Sequence, residues 1–113
     1  MTLGSSIALP SGLWTGHYEQ FARNYPQQAT LEFADGIIRG DGVDGIGVFS
    51  IEGEYRVEES AVRMGWIKTY EGAHSVLYLG VLRWDVIEGS WELPGYRGSF
   101  ALSPARRTME GVR

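Results

Sequence analysis

Between Trp66 and Gly80 every second residue belongs to one series: Trp66, Lys68, Tyr70, Gly72, His74, Val76, Tyr78 and Gly80. Side chains alternate faces along a strand, so a period of two places these groups on one face of two neighbouring strands joined by a tight turn. The same grammar recurs in Trp14-x-Gly16-x-Tyr18-x-Gln20 and Gly47-x-Phe49-x-Ile51-x-Gly53-x-Tyr55. It returns in Ile87-x-Gly89-x-Trp91 and Gly98-x-Phe100-x-Leu102. No segment of helical length carries a 3.6-residue apolar period, and Glu58 to Met64 is the only place where a single helical turn fits. The chain is therefore expected to be all-β.

Eight strands are expected, at about 13–21, 27–34, 37–42, 46–56, 61–70, 74–83, 86–93 and 97–103. Asn24-Tyr25-Pro26 should separate the first two, and Asp35-Gly36 is a favoured two-residue hairpin turn. Asp44-Gly45 reads as a second turn of that kind. Ser103-Pro104 should stop the last strand, because proline removes a ladder donor. A mean spacing of about 11 residues suits a sandwich or a barrel. Short sequential connections favour an up-and-down meander, and glycine inside many strands permits the coiling that a small barrel needs. The architecture expected is an eight-stranded antiparallel up-and-down β-barrel over 13–103, preceded by a lead-in (1–12) and followed by a mobile tail (104–113).

Parity assigns the faces. The inner one takes Trp14, Tyr18, Leu31, Phe33, Ile38, Phe49, Ile51, Tyr55, Met64, Trp66, Tyr70, Val76, Tyr78, Ile87, Trp91 and Phe100. The other parity holds Thr15, His17, Glu19, Thr30, Glu32, Arg39, Ser50, Glu52, Glu54, Arg63 and Glu92, which are solvent residues. Ile67, Leu77, Leu79 and Val81 break the rule by sharing the outward parity. A strand apolar on both faces is covered on both faces. A homodimer interface across strands five and six would provide that cover, and so would the N-terminal segment.

Composition narrows the class of protein. At 113 residues one domain is expected, and the absence of cysteine excludes disulfides and thiolate metal sites. A net charge of −4 with scattered basic residues disfavours nucleic acid as a partner. Met1 to Gly12 has neither the charged start nor the apolar run of a signal peptide, and no stretch has the ~18 apolar residues of a membrane helix. A cytoplasmic protein with no membrane partner is the expectation.

With Gly12-x-Trp14 on the first strand, eight hairpin-linked strands and Trp91 late inside the barrel, residues 12–103 resemble the calycin superfamily of lipocalin, fatty-acid-binding and avidin-type barrels. The resemblance implies a small-molecule-binding barrel. Avidin-type proteins are similar in length, but their serine and asparagine ligand-contacting loops have no match here, so biotin is not implied. The helix of lipocalins and the helical lid of fatty-acid-binding proteins are also missing from the pattern.

Inner-parity polar groups are few, and Lys68, Tyr70 and His74 should meet near one rim. A mouth with aromatic walls (Tyr18, Trp66, Tyr78, Trp91) and a few convergent polar groups suits an apolar or aromatic ligand bearing an anion. Lys68 would hold the anion while His74 and Tyr70 position it. The alternative is that Lys68 pairs with Asp41 or Asp44 to close the barrel end, since buried polar groups need partners. In that case three interior tryptophans could fill the barrel and leave the outer surface to act. An isomerase or cyclase in which His74 or Tyr70 moves a proton is a further alternative, although no carboxylate pair or serine triad supports it. His17 and His74 sit on opposite faces, so no metal site is expected, and no cofactor motif is present.

Overall fold

The computed structural model describes residues 9–105. The N-terminal lead-in before residue 9 and the expected tail from 106 onward lie outside them. Eight strands follow one another: β1 (Gly12–Gln20), β2 (Arg23–Ala34), β3 (Ile37–Asp44), β4 (Val48–Val57), β5 (Val62–Tyr70), β6 (Ser75–Arg83), β7 (Val86–Leu93) and β8 (Tyr96–Pro104). They close into a barrel in chain order, each antiparallel to its neighbours, with β8 returning to β1. No helix forms between Glu58 and Met64; a tight connection closed by the Glu58 amide on the Ala61 carbonyl takes that place.

The period-2 pattern sets the register. Every residue assigned to the inner face is buried or packs against the buried core, and none assigned to the outer face is buried. Trp14, Leu31, Ile38, Val62 and Ile87 are completely buried, with Trp66, Phe49 and Phe100 beside them. Large rings fit because glycine lies beneath them. A Cβ on Gly53 would come within 2.5 Å of the Trp66 Cβ, and one on Gly98 within 2.5 Å of the Trp91 Nε1. The inner glycines are thus the other half of the aromatic packing.

Three boundaries differ from expectation. β2 begins at Arg23, because the chain reverses at Phe21-Ala22, whose φ angles of 52° and 64° give a left-handed turn without glycine or asparagine. Pro26 is tolerated inside β2 because β3 pairs only from Gln27 onward, so the edge beside Pro26 needs no ladder donor. β3 continues through Asp44, so the turn is at 45–47 rather than Asp44-Gly45. Asp44 keeps a turn role through its side chain, with Oδ1 accepting from the Ile46 amide at 2.9 Å. Finally, Pro104 is the last residue of β8 rather than the residue beyond it.

Alternating strand direction brings the turns at 21–22, 45–47, 71–74 and 94–95 to one end of the barrel. Tyr18, Asp44, Phe49 and Tyr70 lie toward that end, called here the tyrosine end.

Candidate functional site

Two regions carry features beyond barrel packing. The first is inside, at the tyrosine end. Lys68, near the C-terminal end of β5, is fully buried and donates from Nζ to Asp44 Oδ2 at 2.6 Å, Gln27 Oε1 at 2.9 Å and the Tyr78 hydroxyl at 3.3 Å. The Asp44 carboxylate, equally buried, also accepts from the Tyr70 hydroxyl at 2.6 Å. Register explains the meeting: Gln27 and Asp44 are cross-strand partners, and Lys68 and Tyr70 share the inner parity of β5. The ammonium is ringed by Phe49 at 4.2 Å and by Tyr18, Tyr70 and Tyr78 at 5.1–5.2 Å from the ring centroids. These rings add cation–π attraction to the ion pair. The barrel has therefore filled its own aromatic cage with its own lysine.

Burial governs how these groups titrate. It pushes the Lys68 ammonium below its ordinary value of 10.5, against the opposing pull of Asp44. It would raise Asp44 too, but hydrogen bonds from Lys68 and Tyr70, the Lys68 charge and the Ile46 amide together hold that carboxyl below its usual 3.8. Tyr70 and Tyr78 are pushed well above 10.0, first by burial and then by the Asp44 carboxylate, and Tyr18 is raised by the same two causes.

Of the residues the sequence singled out, Lys68, Tyr70, Tyr78 and Tyr18 do come together. Trp66 stacks on Tyr78 one register deeper, with centroids 5.5 Å apart. Trp91, the cross-strand partner of Tyr78, gives its Nε1 hydrogen to the Glu19 carbonyl at 2.9 Å. His74 precedes β6 and is exposed; its carbonyl accepts from the Tyr70 amide at 3.0 Å and its ring lies 5.1 Å from the Tyr70 ring. Asp41 lies on the outer face between Thr30 and Ser50, so Asp44 is the partner of Lys68. Gln27 was not anticipated, although parity with Ala29 and Leu31 places it inside. Among the described residues no group of three His, Asp or Glu side chains could hold a metal ion.

The second region is outside, on β4 to β7. A groove of about 970 Å³ runs across these strands. Gly65, the outward-parity glycine between Arg63 and Ile67, leaves part of its floor without a side chain. The outward apolar stripe flanks it: Ile67 and Leu79 are 43% and 45% exposed, and Leu77 and Val81 are half-buried. Glu52, Glu54, Arg56, Arg63 and Glu88 form a charged rim. Arg56 and Arg63 are cross-strand partners that share one carboxylate, Glu58, at 3.7 and 3.1 Å.

Comparison with protein-family models, with curated proteins and with solved structures finds no match to this chain. The fold itself is a closed eight-stranded antiparallel meander barrel, consistent with a calycin-like architecture. No helix among the described residues is long and apolar enough to cross a membrane.

Proposed function

We propose that this protein is an interaction module: a barrel filled by its own side chains that works through the outer face of β4 to β7. The observation that carries the reading is the outward stripe Ile67, Leu77, Leu79 and Val81, set on strands whose other face is the core. Strands apolar on both faces call for a cover on both faces. Exposed apolar area at the centre of a charged rim is also the ordinary anatomy of a protein interface. The interior supports the same reading, because Lys68 and Asp44 satisfy one another behind aromatic rings and leave little charge to attract a ligand. The test is a photo-crosslinking side chain placed at Leu79 or, as a control on the opposite wall, at Thr30. A discrete adduct from position 79 and none from position 30 is expected. Equal labelling at both positions, or none at either, refutes the reading.

One observation favours a second reading, a small aromatic ligand with an anionic group held at the tyrosine end. The buried Gln27 Nε2 and Trp66 Nε1 have no hydrogen-bond partner among the described residues, so each could donate to a guest acceptor. In that reading Lys68, Tyr70 and His74 form the mouth, and Tyr18, Trp66, Tyr78 and Trp91 form the walls. Native mass spectrometry of the purified protein decides it. A retained small molecule that disappears in His74→Ala at unchanged stability supports binding, and an unliganded mass in every preparation rejects it.

A further inference from the structure

Resting on the reading of β4 to β7 as an interaction face, we infer that its occupant is a second copy of this chain, related by a two-fold axis running along β6. Outward residues fall in rows across the sheet, one row being Arg63 on β5, Val81 on β6 and Glu88 on β7. The next row is Gly65, Leu79 and Ser90, and the one beyond is Ile67, Leu77 and Glu92.

Consider two such faces packed about 10 Å apart with nearly aligned strands, the usual sheet-on-sheet geometry. A two-fold axis along β6 sets each β6 residue against its own copy, and each β5 residue against its row-mate on β7. Val81, Leu79 and Leu77 then form an apolar seam along the axis. Gly65 meets Ser90, small against small, which lets the two backbones approach and leaves Leu79 as the central contact. Arg63 meets Glu88 twice, once on each side of the axis.

The charges on that row are complementary only between copies. Arg56 and Arg63 share the single carboxylate of Glu58, so Arg63 has no carboxylate to itself, and Glu54 and Glu52 stand on the Gly65 and Ile67 rows of that side. The Glu88 carboxylate makes no ion pair or side-chain hydrogen bond among the described residues, so its negative charge stands unpaired on the other side of β6. The distance across β6 keeps the two apart within one chain. Glu92, which would face Ile67, is already engaged by Arg97 of its own chain at 3.7 Å. Closed point-group symmetry with a self-complementary patch is the commonest form of assembly, and this face has the required antisymmetry about one strand.

The test uses the full chain and two charge reversals, Arg63→Glu and Glu88→Arg. In either variant alone a homodimer would set like charges at both rim contacts, and its dimer dissociation constant should rise by about tenfold. Mixed one to one, the two variants should form a heterodimer with wild-type affinity, because the chain carrying two glutamates then faces the chain carrying two arginines. Sedimentation equilibrium with one variant fluorescently labelled reads all three states. Leu79→Lys, an exposed change, should give a folded monomer whose melting temperature no longer depends on protein concentration. Wild-type protein that stays monomeric at the highest soluble concentration, or a mixture no tighter than either variant alone, overturns the inference. The crosslink at position 79 separates this failure from that of the interaction reading. An adduct of other than twice the chain mass leaves an interaction face whose occupant is not this chain, whereas no adduct removes both.

Discussion

Replacing Lys68 with methionine keeps an unbranched side chain, one atom shorter, and removes the ammonium with its charge and its three hydrogen bonds. The Asp44 carboxylate would then stay fully buried with the Tyr70 hydroxyl and the Ile46 and Gly47 amides as its remaining donors. Removing one member of a buried pair typically costs about 3–5 kcal/mol, because the survivor is an uncompensated charge in a medium of low polarity. That is a large share of the roughly 5–15 kcal/mol by which a domain is stable. At about 4 °C per kcal/mol for a chain of this size, the melting temperature should fall by roughly 12–20 °C. Adding Asp44→Asn removes the orphaned charge and retains the side-chain acceptor for the turn amides, so the double variant should regain at least about half of the loss. Urea unfolding followed by tryptophan fluorescence measures all four proteins of the cycle. A single-variant loss below about 1 kcal/mol, or strictly additive losses, would refute the view that this pair locks the register of β2, β3 and β5.

The same pair shapes the acid limb of stability. Because Asp44 sits below its ordinary value in the folded state, its contribution is complete above pH 3.8 and is lost as pH falls through the lowered value. Acid unfolding of Lys68→Met should therefore begin at higher pH than that of the wild type, and coincident acid midpoints would contradict this. At the alkaline end Tyr18, Tyr70 and Tyr78 ionise above 10.0 when folded, so the unfolded chain releases protons that the folded chain retains. Stability should fall as pH rises past 10, and phenolate absorbance of the native protein should lag behind that of urea-unfolded protein. Gly53→Ala drives a Cβ against the Trp66 side chain and the β5 backbone and should cost about 1–3 kcal/mol by urea unfolding, whereas an unchanged midpoint would mean that the ring is not seated there. Trp84→Gly should act in the opposite direction. That tryptophan is 95% exposed at a hairpin tip with φ of 60°, so relief of the left-handed backbone should stabilise by about 1 kcal/mol, and any loss of stability would show that the ring has a packing role.

The barrel was legible because burial on one face writes alternation directly into the chain, and glycine at the aromatic parity reports where rings must lie over backbone. That is why Trp14, Trp66 and Trp91 could be placed inside from spacing alone. Turn chemistry was less reliable. Asp35-Gly36 forms the expected hairpin, but Phe21-Ala22 reverses the chain with residues that carry no turn signal, and tertiary pairing of β1 with β2 prevails over local preference. Asp44 illustrates the difficulty at the site. Beside Gly45 it reads as a turn residue, and it does serve the turn through one oxygen while the other binds Lys68 and Tyr70. Nothing local distinguishes these two uses. Gln27 lay within reach of parity, but the loop expected at Asn24-Tyr25-Pro26 put it at a strand end where facing is least certain. Inner parity sets His74 beside Lys68 and Tyr70, whereas the turn before β6 leaves its side chain exposed. The outer stripe was visible as a breach of parity, but the row-by-row antisymmetry about β6 depends on register and could not be read before the strands were aligned.

The interior of this barrel is proposed to hold structure and its β4–β7 face to make contacts. Sedimentation velocity on two variants compares these roles directly: Leu79→Lys on the outer face, and Lys68→Met with Asp44→Asn inside. The outer variant should sediment as a folded monomer whose melting does not depend on concentration, while the inner double variant keeps the wild-type assembly. An outer variant that sediments like the wild type, beside an inner variant that alters assembly without unfolding, would contradict this division of roles.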